Sequence, residues 1–442
     1  MSSIAFDRTA QMVMASDSAA DYHDARRRLD SASIKIRLAD GLAEARWAQA
    51  ALLVMISCGS RMFPRGVFLE LNRETRCNLP LYANRTLARV CEEMGAKFED
   101  FPDDALAVQI GSENGGDADL YCGAVAWTAS VSARPLAFAS TANELSGALS
   151  GALAISAAFR ARVLGDPLAL RRDQTLSLWE GGDAPEIKYL PTALWFLGLG
   201  NLGQAALLLL SFLPYADAGA VQLLLQDFDS VGPENISVQV LTRPAWLGKQ
   251  KARVVADWAE TMGFQAKITE RRFTELDGPS GNEPRTAIVG VDNLDARRSA
   301  ATAPFTFVID AGLGATGPEA FDLRLHAFPG ARSPATAWPE LPPDEPVALT
   351  PALESLVREG AISRCGAMMI AGKSVGVPCT AIAAAALQLT QVVRAISGAG
   401  YADMFDVSLR DCKRAVHSVS SDRPVIPFQR ALSFDSRRTR PA

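Results

Sequence analysis

Residues 194–203 have the sequence Leu-Trp-Phe-Leu-Gly-Leu-Gly-Asn-Leu-Gly, and this stretch decides the fold. Its four leading apolar residues predict a buried strand, and a glycine turn of the form GxGxxG follows at once. An apolar helical run at 204–213 comes next, and then a second buried strand at 221–225 that leads to Asp227. A strand, a glycine turn, a helix, a strand and an acid in this order predict a βαβ unit of a doubly wound, Rossmann-like parallel α/β sheet.

The glycine turn predicts a phosphate site. Glycines allow a tight turn, and the backbone N–H groups at the start of the following helix can approach an anion that the helix dipole favours. Asp227 is placed to accept a hydrogen bond from a ribose hydroxyl. These features fit NAD and ATP equally. A lone GxGxxG also arises as a packing turn, but the flanking strands and the acid disfavour that interpretation.

Polar residues further along the chain favour ATP. We predict a helix at 248–262 and further strands at 287–291 and 307–309. Lys251 then stands at the start of the helix and Asp292 at the end of a strand, so both face the crevice at the carboxyl edge of the sheet. A lysine can neutralise phosphate charge and a carboxylate can hold Mg²⁺, as phosphoryl or adenylyl transfer requires. A hydride-transfer site does not require this combination of a lysine and a carboxylate.

The remaining segments predict a two-domain organisation. In the first domain we predict strands at 51–56 and 106–110 and helices at 87–94 and 142–163. No glycine-rich loop follows 51–56, so this domain is expected to lack its own nucleotide cradle. The predicted division is an α/β domain at 1–170, a linker at 171–190, the nucleotide domain at 191–400 and a C-terminal extension at 401–442.

Prolines interrupt the second domain. Their density between 326 and 351 predicts a long extended loop, which we place over residues 328–378. An apolar, alanine-rich helix is predicted at 380–396, and the arginine-rich last 20 residues are expected to form a solvated tail.

Composition excludes several functions. A net charge of −5 argues against nucleic-acid binding, because phosphate neutralisation needs concentrated Lys and Arg. The seven cysteines include no CxxC pair and the three histidines are isolated, so neither a zinc site nor a disulfide framework is expected. His326 alternates with apolar residues and is predicted to be structural. No secretory signal or long apolar span is recognised, so we expect a cytoplasmic protein that does not bind membranes.

The motifs together resemble the ThiF/MoeB and ubiquitin-activating enzyme family. GLGNLG, QDFDSVGPEN, GKQK, GVDN and VIDAG occur in the family's order within about residues 190–315, with a looser likeness at 363–397. The resemblance implies an ATP- and Mg²⁺-dependent adenylyltransferase that activates the C-terminal glycine of a ubiquitin-like protein, with a ubiquitin-conjugating-like enzyme as a further partner. It also implies a homodimer, unless pseudo-symmetry within one chain suffices.

The resemblance assigns roles to individual residues. It implies a magnesium ligand at Asp292 and nucleotide contacts at Gly198, Gly200, Gly203, Asp227, Asp229, Asn235, Gln239 and Lys251. The family usually carries an arginine where Val238 stands, and Arg243 is the hypothesised substitute. The family's paired zinc cysteines are absent, which implies a zinc-free branch.

The first domain resembles a degenerate copy of the adenylation fold. In the family such a half lends an arginine to the ATP site. By position alone, Arg26, Arg27 and Arg28 are the candidates, and a solvated basic helix face is the alternative.

Two cysteines are candidates for a thioester. Cys365 occupies a position that resembles the family's reactive cysteine, and the neighbouring Arg364 would favour its thiolate. Cys379 lies at a predicted helix N-terminus, where the dipole has the same effect, but it also aligns with a packing position. The other cysteines are predicted to be structural: Cys58, Cys77, Cys91, Cys122 and Cys412.

Three other functions stay open from the sequence. An NAD-dependent oxidoreductase would use the same sheet, a sulfur-carrier adenylyltransferase would use the same chemistry, and a scaffold would bind nucleotide without catalysis.

Overall fold

Two β-sheets, one from each half of the chain, pack against a shared layer of helices in the computed structural model. The structure describes residues 7–16, 18–39, 41–112, 117–136, 141–180, 185–314, 317, 319–338, 349, 351–358 and 376–432.

The first half forms one mixed sheet. Its helices are α1 Arg8–Ala15, α2 Tyr22–Ser31, α3 Arg46–Met62, α4 Leu87–Met94 and α5 Glu144–Arg162. Its strands are β1 Ser33–Leu38, β2 Gly66–Glu70, β3 Ala96–Lys97, β4 Leu106–Ile110, β5 Leu120–Val125, β6 Thr128–Ser132 and β7 Gln174–Ser177. The strand order is β3-β2-β1-β4-β5-β6-β7, parallel from β3 to β5 and antiparallel beyond.

The second half forms a larger sheet. Its strands are β9 Ala193–Leu197, β10 Gln222–Gln226, β11 Gln265–Thr269, β12 Thr286–Val289, β13 Phe307–Leu313, β14 Asp322–Phe328, β15 Tyr401–Ser408 and β16 Arg414–Ser420. Its helices are α6 Asn201–Phe212, α7 Lys251–Thr261, α8 Leu294–Thr302, α9 Pro334–Ala337, α10 Pro351–Arg358 and α11 Pro378–Ser397. A separate ribbon pairs β8 Tyr189–Pro191 with β17 Phe428–Arg430.

The two sheets repeat one topology, which confirms the predicted fold class of a doubly wound sheet preceded by a second α/β half. The second sheet has the order β11-β10-β9-β12-β13-β14-β15-β16, again parallel through β13 and antiparallel beyond. The first strand of each half, β1 or β9, is followed by a turn and a helix. After β1 this turn has a glycine at position 41, whereas β9 is followed by the full glycine motif.

One predicted strand is wrong. Residues 51–56 lie in the middle of α3 and are all fully buried. A continuous apolar run marks either a buried strand or a helix that is covered on every side, and periodicity alone does not separate the two. Here α5 covers α3 closely, since a Cβ on Gly147 would lie 2.0 Å from the carbonyl oxygen of Trp47.

The predicted domain boundaries also need correction. The linker predicted at 171–190 contains β7, which completes the first sheet by pairing with β6. The extension predicted from residue 401 contains β15 and β16, which complete the second sheet. The tail is not wholly solvated, because β17 pairs with β8.

The prediction that the proline-rich loop is extended throughout is wrong, because the helices α9 and α10 lie within it. β14 reaches Phe328, and prolines occupy the first positions of α9 and α10, where a missing N–H costs nothing. Residues 339–348 and 359–375 of this loop lie outside the described residues.

Helices of both halves form one continuous hydrophobic core. All residues of α11 from Pro378 to Ala395 are buried, as are those of α5 from Glu144 to Arg160. Within the described ranges, α11 alone is long and apolar enough to cross a membrane, but 94% of its apolar window is buried inside the protein, as in a core helix.

Candidate functional site

The glycine turn joins β9 to α6, between the ends of β10 and β12. Gly198 has a φ of +88°, a conformation that favours glycine. A Cβ on Gly203 would lie 2.0 Å from the carbonyl oxygen of Gly198, so no side chain fits there. A Cβ on Gly200 would meet nothing nearer than Nε2 of Gln239, at 4.0 Å. The turn is therefore closed on its packed side and open above Gly200.

Asp227 shapes this turn from the end of β10. Its Oδ2 accepts a hydrogen bond of 2.7 Å from the N–H of Leu199, and its Oδ1 accepts one of 2.8 Å from the N–H of Asp229. Burial raises the pKa of Asp227, while the charge of Lys251 opposes that shift. The carboxylate thus has a structural task that the sequence did not indicate, and each oxygen keeps a lone pair toward a ligand.

Lys251 and Asp229 form an ion pair beside the turn. Nζ of Lys251 lies 2.9 Å from Oδ2 of Asp229, and the Lys251 N–H donates to the Asp229 carbonyl at 2.9 Å. The lysine side chain is 8% exposed and the aspartate side chain 50% exposed. Two residues that were predicted separately as nucleotide contacts thus form an ion pair, and a phosphate would have to compete with or complement Asp229 for the lysine.

Asp292 stands at the carboxyl edge of β12, on the other flank of the turn. The preceding Gly290 touches the turn directly, since a Cβ on Gly290 would lie 2.8 Å from the Cβ of Leu202. Asp292 is exposed and makes no hydrogen bond or ion pair with the part of the chain that the structure describes. Arg297 holds this loop by donating to the carbonyl of Val291 at 2.7 Å. Lys251 and Asp292 therefore flank the same turn.

Asn235 and Gln239 are both buried near the turn, but they hold protein groups. Oδ1 of Asn235 accepts from the N–H of Gly232 at 3.0 Å. Oε1 of Gln239 accepts from Nε2 of Gln204 at 2.8 Å and from the hydroxyl of Thr242 at 2.9 Å. Sequence reasoning missed Gln204 and Thr242, although a glutamine at the start of an otherwise apolar helix was a visible signal.

Asn201 was also missed. It is the first residue of α6, and although its Nδ2 and Oδ1 are both buried, neither has a hydrogen-bond partner among the described residues. A Cβ on Gly376 would lie 2.8 Å from that Nδ2. Gly376, near the end of the proline-rich loop, thus approaches the glycine turn closely.

The predicted arginines interact with charged or titratable groups of the first half. Arg243 is exposed and close enough to Arg61, Tyr82 and Glu93 of the first half to influence their pKa values. The three arginines of α2 pair with acids of their own neighbourhood: Arg26 with Asp7 and Asp30, and both Arg27 and Arg28 with Asp24. These pairs favour the alternative of a solvated basic helix face.

The cysteines divide by their surroundings. Cys365 lies outside the described residues. Cys379 is fully buried in α11, and burial raises its pKa to about 12, so it is a packing residue. Cys58, Cys77, Cys91 and Cys122 are also buried, and Cys412 is partly buried.

His326 lies on β14, opposite Asp310 of β13, and both side chains are buried. Its Nδ1 lies 3.5 Å from Oδ2 of Asp310, and its ring packs 4.8 Å from that of Trp338. The histidine was predicted to be structural with its hydrogen bonds satisfied; it is buried, but within the described ranges neither ring nitrogen has a hydrogen-bond partner. Among the described residues, no group of three or more His, Cys, Asp or Glu could hold a metal ion.

Residues 33–178 match the model of the BilD N-terminal domain, and residues 190–399 match the model of the BilD C-terminal domain. A relative from Collimonas sp. (strain OK412), the bacterial E1-like protein BilD, is 38% identical over 265 residues, which are 58% of this chain and 57% of the relative. The match therefore spans little more than half of that relative's length.

Solved structures show weaker similarity. E. coli MccB with MccA-N7isoASN has a TM-score of 0.37 at 15% identity, over 51% of this chain and 64% of that one. Selenomethionine PaaA has a TM-score of 0.33 at 18% identity, over 51% of this chain and 64% of that one. At these scores the similarity adds nothing to the topology described above.

Proposed function

Because the chain carries the N-terminal and C-terminal domains of the BilD family in sequence order, we propose that it is an E1-like enzyme that uses ATP and Mg²⁺ to adenylate the C-terminus of a ubiquitin-like protein. The observation that carries the proposal is the placement of Lys251 and Asp292 on the two flanks of one glycine turn. The E1-like name of the Collimonas relative supports it.

The described residues fit a nucleotide. Space is open above Gly200, and the donor Nε2 of Gln239 faces that space without a partner among the described residues. The N-terminus of α6 favours an anion in the same place. Asp292 offers a carboxylate that has no partner in the described part of the chain, and carboxylates are the ligand type that Mg²⁺ prefers.

The strand directions favour ATP over NAD. A dinucleotide fold in the order 3-2-1-4-5-6 continues as parallel strands into a second mononucleotide half. Here the strand beside β13 is β14, and it runs antiparallel. The parallel part of the sheet therefore has five strands, β11-β10-β9-β12-β13, and the second mononucleotide-binding half that the oxidoreductase alternative needs lacks its last parallel strand.

The proposed reaction is an in-line displacement at phosphorus. The carrier's terminal carboxylate attacks the α-phosphorus of ATP, an acyl–adenylate bond forms, and pyrophosphate leaves with the electrons of the broken P–O bond. Lys251 would stabilise the negative charge that builds up on the phosphates. Magnesium bound at Asp292 would supply further charge neutralisation and orient the leaving group.

The proposal includes a second transfer to Cys365. The thiolate sulfur attacks the acyl carbon, a thioester forms, and AMP leaves, while the thiol proton goes to solvent. A ubiquitin-conjugating-like enzyme would then take the carrier. In the alternative, the chain is a sulfur-carrier adenylyltransferase, and the adenylated carrier reacts with a sulfur donor. We also propose that the protein acts in the cytoplasm.

Nucleotide binding tests the first step. Calorimetric titration with a non-hydrolysable ATP analogue should show binding that Mg²⁺ strengthens, and NAD should not compete. Asp292→Ala should remove the magnesium effect. Asp295→Ala is the matched control, because Asp295 is an 88% exposed acid on the adjoining helix turn and should leave binding unchanged. Tighter binding of NAD than of the ATP analogue would overturn the proposal.

Pyrophosphate exchange tests the chemistry. With ATP and a set of ubiquitin-like proteins that end in glycine, the wild-type chain should exchange labelled pyrophosphate into ATP for at least one of them. Cys365→Ala should keep this exchange and lose the thioester band on a non-reducing gel. Cys412→Ala is the control and should retain both. Loss of exchange in Cys365→Ala alone would contradict the assigned order of steps.

Arg8 is a better candidate than Arg26, Arg27 or Arg28 for the arginine that the first half would lend. It begins α1, and the next residue, Thr9, donates to the carbonyl of Ser237 at 3.1 Å. Arg8 makes no ion pair or hydrogen bond with the described residues, whereas Arg27 is 74% exposed and paired with Asp24. Arg8→Ala should slow pyrophosphate exchange, and Arg27→Ala should not.

A further inference from the structure

Side chains of the first half hold the backbone of residues 237–242 in the second half. The hydroxyl of Thr9 donates to the carbonyl of Ser237 at 3.1 Å. Nε of Arg61 donates to the carbonyl of Gln239 at 2.7 Å, and its Nη2 donates to that of Thr242 at 3.1 Å. Carbonyls 237, 239 and 242 of one segment are thus bonded by donors that lie far away in the sequence.

Arg61 is itself held rigidly. It lies in the last turn of α3, and its Nη1 donates to the carbonyl of Ser57 at 2.7 Å in the same helix. A guanidinium spreads fixed, planar donors over three nitrogens, so it can bond its own helix and two carbonyls of the other half at once with less loss of side-chain entropy than an ammonium. Burial lowers the pKa of Arg61 to about 10, and the nearby charge of Arg243 acts in the same direction. The side chain therefore stays charged at neutral pH.

The held segment is bonded in turn to the glycine turn. Gln239 and Thr242 both bond the side chain of Gln204, with distances of 2.8 Å and 3.1 Å to its Nε2. That same Nε2 donates to the carbonyl of Leu199, inside the turn, at 3.0 Å. Oε1 of Gln204 accepts from the N–H of Leu241 at 3.1 Å. A continuous chain of hydrogen bonds therefore runs from Arg61 to Leu199.

The far end of α6 is tied to the first half as well. The hydroxyl of Tyr82 and that of Ser211 are 2.9 Å apart, and both are buried. The helix that starts at the glycine turn is thus held at its other end, while the turn is held through Gln204. Few degrees of freedom are left for the turn to move independently of the first half.

We propose that Arg61 is a positioning residue, through which the first half sets the conformation of the glycine turn and hence its affinity for nucleotide. Arg61 bonds the far side of the 237–242 segment and acts through Gln239, Thr242 and Gln204, without touching the ligand. The inference rests on the proposed function in so far as the turn binds ATP. It gives the first half, which lacks a glycine cradle, a defined task at the site.

Two substitutions of Arg61 and one control test this. Arg61→Met should weaken binding of the ATP analogue by about tenfold or more, a typical coupling between linked sites, and Arg61→Lys should lie between Met and wild type. Arg160→Met is the control, because Arg160 also joins the two halves, through the carbonyl of Arg410 at 3.1 Å, but contacts no part of the turn network. It should leave binding within about twofold of wild type while lowering the unfolding midpoint.

Hydrogen exchange of the amides of Gly198, Leu199 and Gln204, which donate to Gln226, Asp227 and Gly200, gives a readout that needs no ligand. Exchange should become faster in the Arg61 variants and stay unchanged in Arg160→Met. If the wild type does not bind the ATP analogue, the proposed function fails, while faster exchange in Arg61→Lys still upholds the positioning role. Wild-type exchange and affinity in Arg61→Lys and Arg61→Met, or equal losses in Arg160→Met, would overturn it.

Discussion

The carboxylate of Asp227 accepts hydrogen bonds from two backbone N–H groups, so replacing it should lower the stability of the fold as well as the affinity for nucleotide. We expect Asp227→Asn to lower the free energy of unfolding at neutral pH by about 1–3 kcal/mol, because the new NH₂ group faces an N–H donor and leaves one of them unpaired. Urea unfolding measures this. Asp292→Asn, an exposed acid without a described partner, should leave the midpoint unchanged. Equal midpoints for both variants would contradict the role given to Asp227.

The same residue should give the stability a pH dependence. Burial raises its pKa in the folded chain above the usual value of 3.8, so the folded state holds the proton more tightly than the unfolded state. Wild type should therefore lose stability, relative to Asp227→Asn, as the pH rises from 3.8 through the raised pKa, and the difference should then level off. Unfolding midpoints measured across that interval test the sign. A wild-type advantage that grows with pH would contradict it.

Thiol reactivity separates the cysteines. Burial raises the pKa of Cys77 to about 11 and of Cys122, Cys379 and Cys412 to about 12, and those of Cys58 and Cys91 well above the usual value. These thiols should react slowly with iodoacetamide at pH 7.5 in the folded chain. Cys365 should supply a fast-reacting thiol, and Cys365→Ser should remove it. A fast thiol that persists in Cys365→Ser would contradict the assignment of the thioester cysteine.

At the scale of single elements, substitutions at two glycines of the turn should have different effects, one on stability and the other on nucleotide binding. Gly203→Ala would place a Cβ 2.0 Å from the carbonyl oxygen of Gly198, so the turn must open, and we expect a loss of about 1–3 kcal/mol in unfolding free energy. Gly200→Ala points into open space and should leave stability unchanged, but it should weaken binding of the ATP analogue. Denaturant unfolding and calorimetry of both variants test this. Unchanged stability in Gly203→Ala would show that the turn is not closed as described.

Local patterns predict the elements that carry their own signals. The strand β9, the turn and α6 were predicted, because apolar runs and glycines at fixed spacing are visible in the chain. α3 was mistaken for a strand, since a helix buried on every side has no polar face to mark its period. β15 was missed because its partner β14 lies across the proline-rich loop in the sequence, and β16, which pairs with β15, was missed with it.

In the candidate site, too, only features with a local sequence signal could be predicted. The expected positions of Lys251 and Asp292 at the crevice followed from the start of a helix and the end of a strand, which are local features. The contact between Arg61 and Gln239 joins residues 178 positions apart in the sequence and has no local signature. Lys251 pairs with Asp229, and Asp227 accepts a hydrogen bond from the glycine turn. Both contacts depend on side-chain packing, which the spacing of residues in the sequence does not specify.

At the scale of the whole molecule, the two halves share one core. α5 of the first half packs against α6 and α11 of the second, and a single hydrophobic cluster contains residues of both halves. Because α5 and α11 are buried over almost their whole length, either half alone would expose an apolar helix face to water. The pseudo-symmetric first half therefore covers part of the shared core and, through Arg61, helps to position the glycine turn.

A chain cut between residues 180 and 185 should consequently behave as one protein. We expect residues 1–180 and 185–442 to be insoluble when expressed separately and to co-purify as a one-to-one complex when expressed together, because their helices cover each other. Size-exclusion chromatography and unfolding of the complex test this, and a single transition is expected, since the core is continuous. The complex should bind the ATP analogue like the intact chain. A soluble, monomeric 185–442 fragment with full nucleotide affinity would show that the first half is dispensable, and it would contradict both the shared core and the role of Arg61.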